Sequence, residues 1–542
     1  MTERTVAEAL ADAFAAKGVK HIFGVPGGGS SLDIIEEAAK RGVDFVLTRT
    51  ESAAVMMAAA SAELSGTLGV ALTTKGPGSA NAMNGIAYAS LERLPVIFLT
   101  DGFTPKEQTY ITHQVFDQKA MLAPLTKGHS RLEGESANQD IDAYLNLALT
   151  TPQGPIHFEL TSAAARAAFT LEDLGDPIEK VRARNQGVDK NGIATAERLL
   201  ADADKPILIV GMEARESDAA AATRELARAL NCPALTTYKA KGVVADDDPY
   251  FAGIFTGGSM EADCVSSADL IILCGVDPVE FIRQPWRYDA PVIDIAVGKH
   301  PVHYIEPTIG LYGPMAEHMS RLASGSSGTA WTEQEITDLR VDMRSRLNYT
   351  GSTCINPQQV VEAAFSQAQF LATIPRITVD AGAHMFSAME FWPCFAPNDV
   401  LISNGLATMA FALPAAIAAS LHEPERPVIA FTGDGGLLMC IGELLTAVQC
   451  ETNITVIVFN DASLSLIDIK QQELQLPSKG TRWPQPDFCK MMEGMGGRGY
   501  NVQTIESYEK ALADALFHDG PALVDVTIDA GGYSDQLKAL RG

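Results

Sequence analysis

Length, composition and charge exclude several classes of protein. The chain has 542 residues, of which 46% are hydrophobic and 20% charged, so a globular protein of about three domains is expected. A formal net charge of −26 at pH 7 argues against nucleic acid and anionic membrane surfaces as partners. The eight cysteines show no CxxC spacing, and neither a signal peptide nor a membrane-spanning run is evident, so a cytoplasmic location is predicted.

Residues 1–165 alternate between helical and strand patterns and are predicted to form a first α/β domain. An apolar strand over residues 21–25 ends in the glycine-rich stretch 26–30, which alone is weak support for phosphate binding. A later strand leads into Glu51, at the head of an almost wholly small and apolar helix. A carboxylate there is unusual, although an acid that interacts with the helix dipole is the simpler alternative.

Two further α/β units follow along the chain. A charged, irregular stretch over residues 163–192 is expected to be a linker, after which residues 190–325 form a central domain. A second glycine- and serine-rich linker then precedes a third domain over residues 355–542. A glycine-rich tail is expected after its last strand, and the sequence leaves the role of this tail open.

The most informative stretch, residues 427–466, has the pattern of strand, turn, helix and strand. The first strand ends in a Gly-Asp-Gly turn centred on Asp434, and the second ends at Asp461. Because the carboxyl ends of parallel strands open into one crevice, both aspartates should face it. Two carboxylates beside glycines whose amides can approach a phosphate describe a Mg²⁺–diphosphate site. A lone Gly-Asp-Gly would more simply be a tight turn, but the second acidic strand end returns at the required spacing.

This stretch resembles the cofactor-binding motif of thiamine-diphosphate (ThDP) enzymes. The resemblance implies that Mg²⁺ is bound by the side chains of Asp434 and Asp461 and by the backbone carbonyl of Ser463. Asp461 stands in place of the commoner asparagine and adds negative charge to the site. The cofactor-binding residues implied in this region are Gly433, Asp434, Gly435, Gly436 and Asp461.

The first domain resembles the pyrimidine-binding domain of the same family, particularly that of acetolactate synthase. Residues 50–54 stand where that subfamily has His-Glu-Gln-Gly-Ala, and residues 76–81 match its Gly-Pro-Gly-Ala-Thr-Asn. The resemblance implies that Glu51 protonates N1′ of the aminopyrimidine and that Pro77 and Asn81 bind the cofactor. The histidine and glutamine that flank this glutamate in the subfamily are replaced here by threonine and serine.

The stretch over residues 111–128 resembles the family's active-site loop, in the form found in benzaldehyde-lyase-like members. Gln114 falls on the glutamine of that loop, and His113 on a position that is aromatic in acetolactate synthase. A histidine that titrates near neutrality could act as a proton shuttle, so both residues are assigned to catalysis. The alternative for His113 is an ordinary surface histidine.

The third domain contains two further matches, over residues 380–384 and 402–417, to segments that hold the diphosphate and the thiazolium. The carbonyl of Ala407 is implied to accept the 4′-amino hydrogen, and Met409 to be the apolar wedge that keeps the cofactor bent. A methionine at the start of an alanine-rich helix is otherwise usually core filler. The residues implied to contact the cofactor here are Ala381, Gly382, Ala383, His384, Ala407 and Met409.

The substrate pocket is assigned to residues from both ends of the chain. Residues 464–471 are expected to form a helix that walls the pocket, with Leu466 and Ile467 facing it. Val25 and Gly28, at the end of an early strand, complete the assignment.

The central domain bears on a second cofactor. Acetolactate synthases that carry FAD have an arginine-containing motif after the third strand of this domain. The corresponding residues 275–280 read Gly-Val-Asp-Pro-Val-Glu, without arginine, so FAD is doubtful. Whether a CoA ester binds this domain stays open.

Taken together, the resemblance implies three doubly wound parallel-sheet α/β domains: pyrimidine-binding, central nucleotide-binding-like and diphosphate-binding. It implies a ThDP- and Mg²⁺-dependent lyase or carboligase that acts on 2-oxo acids, with decarboxylation and C–C bond formation through an enamine. The substrate is then a small carbonyl compound, and the active unit a homodimer or tetramer with its site at the subunit interface. Two alternatives stay open: a C–C lyase of 2-hydroxy ketones or 2-hydroxyacyl-CoA thioesters, and a ThDP-binding regulatory subunit without turnover.

Overall fold

The computed structural model describes residues 3–134, 137–170, 189–281, 286–300, 305–325, 328–349 and 354–541. Most of the first predicted linker (171–188) and part of the second (326–327) lie outside the described residues. In the described chain there are three six-stranded sheets, each wholly parallel, and one short antiparallel pair. The predicted fold class is therefore confirmed. None of the described helices is long and apolar enough to cross a membrane.

The first sheet is built from the N-terminal part of the chain. Its strands, together with the antiparallel pair β1–β8, are β1 (Glu3–Thr5), β2 (His21–Val25), β3 (Asp44–Leu47), β4 (Gly69–Thr73), β5 (Val96–Asp101), β6 (Gly128–Arg131), β7 (Ile156–Leu160) and β8 (Ala168–Thr170). The helices are α1 (Val6–Ala16), α2 (Ser30–Ala39), α3 (Glu51–Ser65), α4 (Pro77–Asn81), α5 (Met83–Leu91), α6 (Gln118–Leu122), α7 (Ala137–Leu149) and α8 (Ser162–Ala165), with a 3₁₀ turn at Glu107–Thr109. Every residue of β4, β5 and β7 is buried, as expected for a parallel sheet covered on both faces.

The second sheet is built from the middle part of the chain. Its strands are β9 (Pro206–Val210), β10 (Ala234–Thr236), β11 (Phe251–Ile254), β12 (Leu270–Cys274), β13 (Val292–Ala296) and β14 (Ile309–Tyr312). The helices are α9 (Lys190–Asp202), α10 (Ser217–Leu230), α11 (Ala262–Ser266), α12 (Met315–Ser324) and α13 (Glu333–Arg346), with 3₁₀ turns at Met212–Arg215 and Pro278–Glu280.

The third sheet contains the Gly-Asp-Gly stretch. Its strands are β15 (Arg376–Val379), β16 (Val400–Ile402), β17 (Val428–Gly433), β18 (Ile454–Asn460), β19 (Arg498–Val502) and β20 (Ala522–Thr527). The helices are α14 (Pro357–Ala368), α15 (His384–Phe391), α16 (Ala412–His422), α17 (Asp434–Cys440), α18 (Glu443–Gln449), α19 (Ser465–Glu473), α20 (Phe488–Gly494), α21 (Ile505–Leu516) and α22 (Tyr533–Arg541).

Strand order separates the central sheet from the other two. The first and third sheets run β3-β2-β4-β5-β7-β6 and β16-β15-β17-β18-β20-β19, which is the same order when the strands of each are counted from one. The central sheet runs β11-β10-β9-β12-β13-β14, the order found in dinucleotide-binding folds. Crevices therefore open where the order reverses, next to β2/β4, β9/β12 and β15/β17, and these are the places where ligands bind in such sheets.

Two local expectations differ from the structure. The single helix expected after the Gly-Asp-Gly turn is broken into α17 and α18, because Glu443 turns its carboxylate toward the first domain and accepts the amides of Arg49 and Thr50. The glycine-rich tail expected after β20 is helix α22, whose buried Leu537 and Leu540 pack in the core shared by the central and third domains.

A buried cation ties the three domains together. Lys239, in the loop after β10, is about 1% exposed, and its Nζ lies 2.7 Å from Glu63 and 3.2 Å from Glu92 of the first domain. The same Nζ donates to the carbonyl of Ile402 in the third domain at 3.0 Å. Because a buried charge is costly without partners, this arrangement depends on all three domains.

We expect Lys239→Met to destabilise the protein by about 3–5 kcal/mol, because it leaves Glu92 buried without its cation. The measurement is the urea concentration at the midpoint of the first unfolding transition. The control is Lys40→Met, which removes surface ion pairs to Glu36 and Glu37 and should leave the midpoint almost unchanged. Equal midpoints for the two variants would contradict this interpretation.

Candidate active site

Asp434 and Asp461 follow neighbouring parallel strands. Gly433, the last residue of β17, is in register with Phe459 of β18, so the two aspartates leave the sheet at the same edge. Asp434 is the first residue of α17, and its Oδ1 accepts the amide of Gly435 at 2.8 Å. The Ser465 hydroxyl donates to Asp461. The structure thus brings together the two side chains that the sequence assigns to the metal.

The electrostatics of this pair favour a cation. Burial, and then the charge of Asp461, raise the pKa of Asp434 to about 7. Burial also raises the pKa of Asp461, against the hydrogen bond from Ser465. The Oδ2 atom of Asp434 and the hydroxyl of Ser463 are buried without a hydrogen-bond partner in the described part of the chain. Buried oxygen atoms that lack a hydrogen-bond donor are suitable ligands for a divalent cation such as Mg²⁺.

A cavity of about 280 Å³ opens beside the two aspartates, at the β15/β17 crevice. Burial lowers the pKa of His384 to about 3, so its ring is neutral, and it stacks on Phe459 with ring centres 5.2 Å apart. Its Nε2 is buried without a partner among the described residues, which fits a polar ligand. The residues of the sequence assignment that line this cavity are Ala381, Gly382, Ala383, His384, Ala407, Met409, Gly433, Asp434, Gly435, Gly436, Asp461, Ser463, Leu466 and Ile467.

Backbone conformation supports the assignments at the cavity floor. Ala407 has a φ of +52° and Ala410 a φ of +66°, and such positive values are uncommon for residues other than glycine. A Cβ on Gly435 would come within 3.1 Å of Trp483 and 3.4 Å of Met409. The Met409 side chain therefore lies against Gly435 at the cavity, and its role toward a ligand stays a prediction.

Asp380 is a residue whose importance the sequence reasoning missed. Its Oδ1 accepts the amides of Phe411 and Ala412 at 2.6 and 2.7 Å, and its Oδ2 accepts the hydroxyl of Thr432 at 2.6 Å. A Cβ on Gly436 would lie 2.4 Å from this carboxylate. Asp380 therefore fixes the ends of β15 and β17 and the start of α16 relative to one another. Its position directly after a strand was the only signal available.

The first-domain assignments gather at the β2/β4 crevice. Glu51 begins α3, with Thr50 as its N-cap, and the amide of Asn81 donates to its carboxylate. The loop residue Gln114 has a φ of +61°. It packs against Gly76, the residue before Pro77, and a Cβ added at Gly76 would come within 2.9 Å of Gln114.

The other assigned residues of this domain lie around the same crevice. His113 is exposed on the same loop as Gln114, Val25 is half-buried at the end of β2, and Gly28 is exposed in the loop that follows.

Two further side chains hold this region and were not identified from the sequence. Asp101, at the end of β5, accepts hydrogen bonds from Ser30 and Ser31, and a Cβ on Gly27 would come within 2.2 Å of it. Glu443 of the third domain, whose pKa burial raises, accepts the backbone amides that immediately precede Glu51. Both contacts join segments that are distant along the chain, so no local pattern could reveal them.

The cavity beside Asp434 and Asp461 is lined by the third domain alone among the described residues. Its lining among the described residues runs from Ala381 to Arg541 and includes no residue of the first domain. Glu51 therefore does not face this cavity in its own chain. The surface of α17 and α18 exposes the apolar side chains of Leu438, Met439 and Leu445.

The β9/β12 crevice of the central domain does not fit a dinucleotide. The amides of Met212 and Asp277, which could approach a pyrophosphate, instead donate to the carboxyl group of Glu280 at 2.9 and 3.1 Å. Burial raises the pKa of Glu280 to about 8. A Cβ on Gly211 would lie 2.6 Å from this group. These contacts support the prediction that FAD is doubtful.

A second group of possible metal ligands, Glu213, Asp277 and His300, lies in the same central crevice and not near Asp434. Arg93 donates to both oxygens of Asp277, at 2.7 and 3.2 Å. Burial lowers the pKa of His300, but the neighbouring carboxylates outweigh it and raise this pKa overall. The acids of this cluster therefore already have basic partners, Arg93 beside Asp277 and His300 beside Glu213.

Comparison with known proteins defines the class. The chain matches three family models of thiamine pyrophosphate enzymes: the N-terminal TPP binding domain over residues 4–121, the central domain over 193–322 and the C-terminal TPP binding domain over 380–526. The chain therefore belongs to the family of thiamine pyrophosphate enzymes, as its resemblance implied.

Relatives align with nearly the whole chain. The acetolactate synthase of Bacillus subtilis (strain 168) is 27% identical over 98% of this chain and 94% of its own length. The acetolactate synthase isozyme 3 large subunit of Escherichia coli (strain K12) is 30% identical, with coverages of 97% and 95%. The catabolic acetolactate synthase of Raoultella terrigena is 28% identical, with coverages of 96% and 95%. The protein is a ThDP-dependent enzyme, and the prediction of an enzyme is confirmed.

The carboxylate pair predicts a pH-dependent stability of the metal-free protein. The pKa of Asp434 is raised from 3.8 to about 7 in the fold. The unfolded chain therefore loses this proton first, and stability falls as pH rises from about 4 to about 7, by at most about 4 kcal/mol. We expect Asp434→Asn to melt higher than the parent protein at pH 7.5 in EDTA, and the difference to shrink at pH 5.

Thermal melts at the two pH values test this, with Asp514→Asn on the exposed face of α21 as the control. Mg²⁺ with ThDP should raise the melting temperature of the parent and of Asp514→Asn, and do so much less for Asp434→Asn. An Asp434→Asn protein that melts lower than the parent at pH 7.5 in EDTA would count against a repulsive carboxylate pair.

Proposed function

We propose that this protein is a ThDP- and Mg²⁺-dependent lyase or carboligase that acts on 2-oxo acids. The observation that carries the proposal is the pair of buried Asp434 and half-buried Asp461 beside a cavity in which Asp434 Oδ2, His384 Nε2 and the Ser463 hydroxyl have no hydrogen-bond partner among the described residues. The relatives named acetolactate synthase support the same class of substrate.

The third domain would hold the metal and the diphosphate. Asp434, Asp461 and the carbonyl of Ser463 are the proposed Mg²⁺ ligands, and His384, whose Nε2 has no partner among the described residues, lines the same cavity. When bound, ThDP supplies carbanion chemistry that amino-acid side chains cannot provide. Met409, beside Gly435, would orient the cofactor through apolar contact.

Glu51 is proposed to hold and release a proton at N1′ of the aminopyrimidine. Its place in the first turn of α3 fixes the carboxylate at the start of that helix. Asn81 donates to it, and the Glu443 contact with the preceding amides keeps the turn in place. His113 and Gln114 are proposed to serve proton transfer at the substrate, from the loop against Gly76.

A second copy of the chain would complete the site. The cavity of one chain includes no described residue of the first domain, whereas Glu51 and the metal ligands must act on one cofactor. A homodimer in which the β2/β4 crevice of one subunit faces the β15/β17 crevice of the other meets this requirement, and a tetramer would pair two such dimers. The exposed Leu438, Met439 and Leu445 are suitable contacts. The cytoplasmic location remains a prediction.

The pocket favours small carbonyl substrates with apolar groups. Leu464, Leu466 and Ile467 line the cavity at the start of α19, and Val25 and Gly28 of a second chain would face them. A C–C lyase of 2-hydroxy ketones is the second candidate, because the 111–128 loop follows the benzaldehyde-lyase-like pattern. A CoA thioester is less favoured, because Glu280 takes the amides that could bind its pyrophosphate.

We expect Glu51→Gln to reduce turnover by at least about 100-fold, because the amide cannot exchange the N1′ proton. ThDP binding, measured by calorimetry, should change only a few-fold, since the diphosphate contacts lie in the third domain. The exposed Glu36→Gln on α2 is the control and should keep full activity. Near-parental turnover in Glu51→Gln would remove Glu51 from the mechanism.

The function itself is tested by CO₂ release from a panel of 2-oxo acids, pyruvate included, with enzyme reconstituted with Mg²⁺ and ThDP. We expect release from at least one member, and the product, an aldehyde or a 2-hydroxy ketone, separates a decarboxylase from a carboligase. If ThDP is bound but the whole panel is inert, the 2-oxo acid proposal fails. Aldehyde release from benzoin-type 2-hydroxy ketones would then support the second candidate.

A further inference from the structure

One cation reaches the proposed cofactor cavity from helix α22. Among the described residues that line this cavity, Arg541 is the single lysine or arginine. Its guanidinium lies 5.9 Å from the ring centre of Phe386, in the first turns of α15. The cavity is therefore bordered by the two aspartates, a neutral histidine and this arginine.

Helix α22 is docked and not a free tail. Gln536 is buried and donates to the carbonyl of Leu347 at 2.9 Å and to the hydroxyl of Ser387 at 3.1 Å. At the other end of the helix, the hydroxyl of Ser259 in the central domain donates to the carbonyl of Ala539 at 2.8 Å. These contacts fix the backbone on which Arg541 stands, so its place at the cavity follows from the packing of two domains.

The charge balance of the cavity gives this arginine a role. The proposed metal ligands contribute two carboxylates to the lining of the cavity. A divalent cation would offset these two charges and leave none for an anionic ligand. His384 cannot help, because burial lowers its pKa to about 3. In a partly buried cavity an arginine is the side chain best suited to pair with phosphate or carboxylate.

We propose that Arg541 binds the anionic group of a molecule held in this cavity. That group is either a phosphate of ThDP or the carboxylate of a 2-oxo acid. The arginine would bind either group through the same charge-assisted hydrogen bonds. The inference rests on the proposed function. It adds a cofactor- or substrate-binding residue from a helix that carries no recognisable sequence motif.

The test is Arg541→Gln, with Lys538→Gln as the matched control. Lys538 lies on the same helix, is exposed, and pairs with Asp535 on the surface. Calorimetry measures binding of ThDP and of unphosphorylated thiamine, both with Mg²⁺, to the full-length proteins. If Arg541 pairs with the diphosphate, the Kd for ThDP rises roughly 10-fold or more in Arg541→Gln, while binding of thiamine is unchanged.

A second arm separates the two sources of the anion. If Arg541 pairs with the substrate, ThDP binding is unchanged but KM for a 2-oxo acid rises roughly 10-fold or more, while KM for a neutral aldehyde acceptor stays constant. Arg541→Lys retains the charge and should recover part of whichever loss is seen. If both ThDP binding and this KM match those of Lys538→Gln, the proposal is overturned.

Failure of this inference can be distinguished from failure of the wider functional proposal. Absence of ThDP binding in the parent protein would refute the cofactor assignment itself. Normal binding in the parent with no change in Arg541→Gln refutes only the role of the arginine. Should Arg541→Gln fold poorly, the binding constants of Arg541→Lys, together with the salt dependence of ThDP binding to the parent, decide between the same outcomes.

Discussion

Two carboxylates on adjacent strand ends, Asp434 buried and Asp461 half-buried, are the constraint on which the site depends. The register of β17 with β18 leaves Asp434 and Asp461 at one edge of the sheet, and their burial makes a doubly ionised pair unfavourable without a cation. An asparagine at the second position would relieve part of this repulsion. With two aspartates the demand for positive charge at this edge of the sheet is higher than with one.

The repeated strand order of the first and third domains explains how the rest of the site is prepared. Each sheet opens a crevice where its order reverses, and in each a buried aspartate holds glycine-containing turns at that point. Asp101 takes this role beside Gly27 and Asp380 beside Gly436, where a Cβ would come within 2.2 and 2.4 Å of the carboxylate. Gly27 and Gly436 leave room for these carboxylates because glycine has no Cβ. This packing keeps both segments close to any ligand in the crevices.

Strands and motifs were readable from the sequence because a parallel strand buried on both faces is an unbroken apolar run, ended by glycine or an acid. Contacts between distant segments were not readable. Glu443 supports the turn before Glu51 from almost 400 positions away (a separation of 394 from Arg49), and that contact divides the helix expected after Asp434. The helix at Tyr533–Arg541 was missed because its stability comes from burial against the central domain and not from its own composition.

The central domain has the strand order of a dinucleotide-binding fold, yet Glu280 takes the amides that such a ligand would need. Its contacts with the first and third domains hold these domains in position. Lys239 pairs with acids of the first domain and with a carbonyl of the third, and Ser259 fixes the end of α22. Because that end bears Arg541, the packing of the central domain helps to place this cation at the cavity of the third domain.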